Sequence, residues 1–167
     1  MSSNTGQKKN VIVWQDSYSV KINLIDEQHL YLVKLTNQLF TECLNGREES
    51  KAAFRKTIRE LVAYVHLHFS TEEKVMERIN YPDLKNHKKE HREFVEELFI
   101  KMKDFTAGNL VTPINMVYFL RDWIMNHIAV CDKKYGNYVA ELNKSGELQK
   151  IASKSKSPVA TNTATTQ

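Results

Sequence analysis

Four stretches of the 167-residue chain place large apolar residues at steps of three and four, the pattern of helices with one buried face. They span about 24–44, 50–79, 83–108 and 112–142. Breakers fall between the stretches. Asn45-Gly46 closes the first and Tyr81-Pro82 follows the second. Thr112-Pro113 opens the fourth with a cap residue and a first-turn proline. The whole chain has only 5 glycines and 3 prolines, so few, long helices are expected. Short connections make such helices antiparallel neighbours, which predicts an all-α, up-down-up-down antiparallel four-helix bundle. Residues 11–23, with Trp14 and Tyr18, predict an extended N-terminal arm packed on it. The domain is expected to run over 11–150. Residues 1–10 and the Ser/Thr/Ala/Lys-rich tail 151–167 have too little apolar surface to offset ordering entropy and are expected to be disordered.

The buried stripes can be written out residue by residue. The first segment gives Ile25, His29, Leu32, Thr36 and Leu39. The second gives Phe54, Ile58, Leu61, Val65, His68, Glu72, Met76 and Ile79. The third gives Leu84, His87, His91, Phe94, Leu98, Met102 and Phe105, and the fourth Met116, Leu120, Ile124, His127, Cys131 and Tyr135. A histidine or glutamate interrupts every stripe. Burying one such group without a partner costs on the order of 2–7 kcal/mol. One alone could be a satisfied core histidine; five histidines and a glutamate from four helices are better explained together. In an antiparallel bundle they fall at one level. His68 and Glu72, like His87 and His91, are four apart and return to one helix face. The joint expectation is a metal site in the bundle interior. Imidazole suits iron, copper, nickel or zinc, and the donor count exceeds what one tetrahedral zinc uses. Two metals are therefore expected. His66 lies about 200° around the helix from His68 and should point away.

Charge and cysteines exclude other classes. The net charge of +4 resides in Lys8, Lys9, Lys154 and Lys156, outside the bundle; the remaining 20 basic residues balance 20 acidic ones. A nucleic-acid binder needs a concentrated basic face, and none is expected here. No apolar run approaches the roughly 20 residues of a membrane helix. Cys43 and Cys131 form no CxxC and are expected to be small buried hydrophobes in a reducing, cytoplasmic setting.

At this point the residues resemble those of hemerythrins of the single-domain bacterial type. The resemblance rests on DEQH at 26–29, HFSTEEKVM at 68–76, YPDLKNHKKEH at 81–91 and LRDWIMNHIAVCDKKY at 120–135, and spans about 14–142. It implies two non-haem irons per chain. His87, His91 and His127 would hold one, His29 and His68 the other, with Glu72, Asp132 and an oxo or hydroxo group bridging them. Dioxygen would bind at an open position on the second iron, in an apolar pocket formed by Leu32, Phe69, Trp123, Ile124 and Ile128. The same five side chains would otherwise be ordinary core.

The implied function is reversible dioxygen binding for storage, transport or delivery to an oxygen-consuming enzyme, with no catalytic residue of its own. Di-iron oxidases in bundles use carboxylate-rich sites built on Glu-x-x-His pairs. Five histidines to two carboxylates favour a carrier over the alternatives, an oxidase or peroxidase, or an oxygen-sensing or iron-holding module. One spacing is awkward. His127 and Asp132 are five apart, which in a regular helix leaves them about 140° from a common face. Either the cluster sits beside the helix and Asp132 reaches across, or, as expected here, a π turn between about 124 and 133 brings both onto one side and moves Cys131 off the central stripe.

Overall fold

A computed structural model of the chain describes residues 10–45, 48–107 and 112–154. Its helices are α1 (Asn23–Asn45), α2 (Glu48–Arg78), α3 (Leu84–Thr106), α4 (Pro113–Asn126), α5 (Lys133–Lys144) and α6 (Glu147–Lys154). A π-helical segment, His127–Asp132, joins α4 to α5. Backbone angles stay right-handed helical through both junctions, so α4, the π segment and α5 form one rod. Among the described residues there is no strand, and no helix is long and apolar enough to cross a membrane.

Cross-helix contacts define the four-helix bundle. Gln28 meets Thr71 while Gln38 meets Thr57, so α1 and α2 run antiparallel. Glu77 meets Lys88 while Phe54 meets Phe105, which reverses α3 against α2. Lys101 lies over Phe119 while Glu90 faces His127, which reverses the last rod against α3. α1 closes the bundle against α4. Local chemistry sets the ends. Asn80 adopts a left-handed φ of 53°, and Tyr81 N–H donates to Met76 O at 2.9 Å, capping α2 before Pro82. The Thr112 hydroxyl accepts from Asn115 N at 3.3 Å, with Pro113 in the first turn of α4.

The predicted stripes match the buried faces closely. Every stripe residue of α1 and α2 is buried; on α3, Leu84, Met102 and Phe105 are half-buried. The π turn falls within the expected span, and Cys131 is half-buried rather than central. Two expectations need correction. Cys43 and Cys131 are both free and half-buried, not core hydrophobes. The tail expected from 151 onward instead continues α6 to Lys154, after Gly146 turns the chain at φ 74°. Leu148 and Ile151 of α6 line one cavity with Val75 and Ile79, and the helix is too short to register as periodicity. Gly46, Gly108, residues 1–9 and the rest of the tail lie outside the described residues.

The arm is tied at both ends. The Asn37 carboxamide accepts from Val11 N (2.8 Å) and Ile12 N (2.9 Å) and donates to Ile12 O (2.9 Å). The Asp26 carboxylate accepts from Val20 N at 2.8 Å and Ser19 Oγ at 2.6 Å, and Lys133 donates to the carbonyls of Ser17 and Ser19. Between these anchors Asp16–Tyr18 forms one 3₁₀ turn, and the arm passes Gly136 of α5. A Cβ there would meet Val20 O at 2.7 Å and Val20 Cβ at 2.9 Å. In a helix interior Gly→Ala ordinarily stabilises by roughly 0.5–1 kcal/mol. Here the overlap reverses the sign. Gly136→Ala should destabilise by about 1–3 kcal/mol, read as a fall of several degrees in melting temperature; an unchanged or raised value would show that the arm yields freely.

Candidate metal centre

The polar layer is sandwiched on every helix between two apolar clusters. The larger contains Leu32, Val65, Phe69, Phe94, Ile124 and Ile128, and the smaller Val20, Ile25, Met76 and Tyr135. His29 sits between Ile25 and Leu32, and His68 and Glu72 precede Met76. His87 and His91 precede Phe94, and His127 and Asp132 precede Tyr135. Each of the seven is at most 3% exposed.

Their inner atoms converge. Asp132 Oδ2 lies 3.1 Å from His29 Nε2, and Asp132 Oδ1 lies 3.1 Å from His127 Nε2 and 3.5 Å from His87 Nε2. Glu72 Oε2 lies 3.3 Å from His91 Nε2, 3.5 Å from His68 Nε2 and 3.7 Å from His87 Nε2; Glu72 Oε1 is 3.7 Å from His29 Nε2. The two carboxylates therefore stand between two sets of imidazoles. One set of donor atoms, from Glu72, His87, His91 and His127, lies within 4.8 Å of one another, as does a second from His29, His68, Glu72 and Asp132. The π turn brings Asp132 into this layer together with His127.

Buried polar atoms in proteins are nearly always hydrogen-bonded. Here His29 Nε2, His87 Nε2, Glu72 Oε2 and both Asp132 oxygens have no hydrogen-bond partner. Five orphaned inward atoms in one layer, all of metal-ligating type, fit a metal cluster.

A match to the Hemerythrin HHE cation binding domain covers residues 20–139. The chain belongs to the hemerythrin family. The bacteriohemerythrin of Stenotrophomonas maltophilia is 32% identical over 135 residues, which is 80% of this chain and 86% of that one. The bacteriohemerythrin of Pseudomonas aeruginosa is 36% identical over 124 residues, 74% of this chain and 78% of that one. A crystal structure of wild-type hemerythrin superposes with a TM-score of 0.69 at 30% identity, covering 76% of this chain and 96% of that one.

Within this hemerythrin fold the outer nitrogens of three histidines have partners that the sequence did not reveal. His68 Nδ1 donates to Gln28 Oε1 at 3.1 Å. His91 Nδ1 meets Glu73 Oε1 at 3.0 Å, and His127 Nδ1 lies 3.4 Å from Glu90 Oε2. Tyr135 Oη donates to Glu72 Oε1 at 2.9 Å. Gln28, Glu73 and Glu90 are each the chain neighbour of a predicted ligand, and each reaches a ligand on the next helix. Of the five predicted pocket residues, Phe69 stacks on His91 at 3.7 Å between ring centroids and Trp123 on His127 at 4.3 Å. Leu32, Ile124 and Ile128 are buried in the same apolar cluster, and Trp123 is half-buried against it. Trp14 of the arm lies 6.4 Å from the His29 ring. His66 is exposed, as its position on the helix requires.

The electrostatics follow from burial set against charge. Burial alone would lower the His29 and His127 values. Asp132 and Glu72 outweigh it, raising His29 from 6.5 to about 9 and His127 to about 10. Burial dominates at His68 and lowers it to about 4. Burial would raise the Glu72 carboxyl, but His68 and the other facing imidazoles hold it well below its usual range. Without metal, protons on His29 and His127 stand in for cations. Both values are raised on folding, so the stability they contribute is complete below pH 6.5 and lost as pH climbs through about 9–10. The melting temperature of metal-free protein should therefore fall between about pH 7 and 10, and metal-loaded protein should lack this fall, because metal replaces the two protons. Parallel profiles for the two forms would contradict this.

Proposed function

We propose that the chain holds two irons per molecule and binds dioxygen reversibly, as a carrier that stores, transports or delivers it to an oxygen-consuming enzyme. The observation that carries this reading is the pair of donor sets that share Glu72, with Asp132 of the second set also 3.1 Å from His127 Nε2 of the first. His87, His91 and His127 would hold one iron and His29 and His68 the other, with Glu72 and Asp132 between them. The pair would supply electrons and one open coordination position for dioxygen. The names of the bacterial relatives support the same reading.

The protein's part is to position and to exclude. Tyr135 fixes one Glu72 oxygen, leaving Oε2 directed at His68, His87 and His91. Gln28, itself held by Thr71, accepts the outer proton of His68 and so presents a bare Nε2 to the interior. Leu32, Phe69, Ile124 and Ile128 close the layer on one side, and Trp123 seals it. A wall of that kind keeps water from the bound gas and from the charges that develop there. The donor balance, five imidazoles to two carboxylates, favours carriage over oxidation of a second substrate.

The direct test is iron-loaded protein titrated with dioxygen and then stripped of it. The account expects about two irons per chain and a visible band that appears with oxygen and disappears on its removal. Tight retention of a single zinc, or turnover of an added reductant in place of a reversible band, would overturn it. Leu32 tests the wall. Leu32→Asn buries an amide beside the layer, and should speed the irreversible bleaching of that band several-fold while iron content stays near two. A bleaching rate equal to that of the unsubstituted protein would reduce Leu32 to plain packing.

A further inference from the structure

The outer partners of the histidines are unequal in charge. On the three-histidine side, His91 and His127 face carboxylates, Glu73 at 3.0 Å and Glu90 at 3.4 Å. On the two-histidine side, His68 faces the neutral amide of Gln28 at 3.1 Å, and His29 Nδ1 is buried with no hydrogen-bond partner. The arrangement is also a relay around the bundle. Gln28 of α1 reaches α2, Glu73 of α2 reaches α3, and Glu90 of α3 reaches the π segment. Only the first link is uncharged.

We propose that Glu73 and Glu90 are positioning residues that make the two halves of the centre electronically unequal, holding His91 and His127 in place and rendering the three-histidine site the more electron-rich. The inference rests on the two-iron reading above. A carboxylate accepting the outer N–H draws the proton toward itself and raises the donor strength of the opposite nitrogen; an amide does so far less. More basic imidazoles stabilise the higher oxidation state of the metal they hold. The three-histidine metal should thus be the easier to oxidise, and the two-histidine metal should keep the weaker-field, more adaptable set. Glu73 should dominate: it is closer and 28% exposed, against 43% for Glu90, so solvent screens it less. Lys88, 3.6 Å from Glu73, tempers its charge and also pairs with Glu77 at 2.5 Å.

Four variants of the full chain separate charge from position. Glu73→Gln keeps an acceptor for His91 but removes the charge. In iron-loaded protein it should raise the reduction potential, shifting the oxidised-to-reduced ratio by about tenfold, or about 59 mV for one electron. Gln28→Glu adds a carboxylate on the other side and should lower the potential. Glu93→Gln removes an exposed carboxylate that pairs with Lys89 and touches neither a histidine nor Lys88, and should leave the potential unmoved. Glu73→Ala removes the acceptor altogether and should weaken metal binding by about 10–100-fold. A readout that needs no iron accompanies these. NMR of metal-free protein should show a slowly exchanging Nδ1 proton on His91 in the unsubstituted chain and in Glu73→Gln, and a rapidly exchanging one in Glu73→Ala, the Nε2 side of His91 being held separately by His127 Nε2 at 3.0 Å. Equal potentials in Glu73→Gln and Glu93→Gln, or an unchanged exchange rate of the His91 Nδ1 proton in Glu73→Ala, would overturn the proposal. Failure of the chain to hold iron would instead count against the carrier reading, and the exchange measurement would still decide this one.

Discussion

Seven ionisable side chains share one layer of an otherwise apolar bundle, and the rest of the structure is arranged around that layer. Isolated buried charge is costly, and pairing relieves the cost only where every lone pair and proton finds a partner. Here five of the inner atoms are left without partners while the outer nitrogens of three histidines are provided for. That inside-out pattern is what a ligand set looks like when its shared partner is a cation. The metal-free protein compensates by keeping protons on His29 and His127. Metal binding and folding are coupled through those protons.

The backbone bends to the same requirement. An α-helix cannot place residues five apart on one face, so the chain widens by one residue per turn between His127 and Asp132. The widening displaces Cys131 to the flank and returns Tyr135 to the core, where its hydroxyl reaches Glu72. The apolar clusters on either side are continuous with ordinary helix packing, so the site needs no loop to carry it. Ligands on helices are held more firmly than ligands on loops, which suits a layer whose donor atoms must converge on a buried cation.

Much of this was legible in the sequence because it repeats. The helical stripes extend over 20 residues or more, and the interruptions at His29, His68, Glu72, His87, His91 and His127 stand out against them. The HxxxxD spacing pointed to the π turn, since it asks either for a distorted helix or for Asp132 to reach across to a shared site. Gln28, Glu73 and Glu90 were not legible. Each sits beside a ligand on its own helix, at a position that looks solvent-facing, and acts on a neighbouring helix. Such contacts depend on how the helices are rotated in the bundle, which periodicity does not report. α6 was missed because eight residues with Leu148 and Ile151 as anchors cannot be told from a tail. The cysteines were misjudged because small residues at a stripe's margin satisfy the pattern whether or not they are covered.

The central claim is that two irons occupy this layer, one in each histidine set. Crystals of iron-loaded protein, with diffraction recorded on both sides of the iron absorption edge, test it most directly. The account predicts two anomalous peaks inside the bundle, one among His87, His91 and His127 and one beside His29 and His68, with Glu72 and Asp132 contacting both. A single peak, or iron bound only at surface carboxylates, would contradict it.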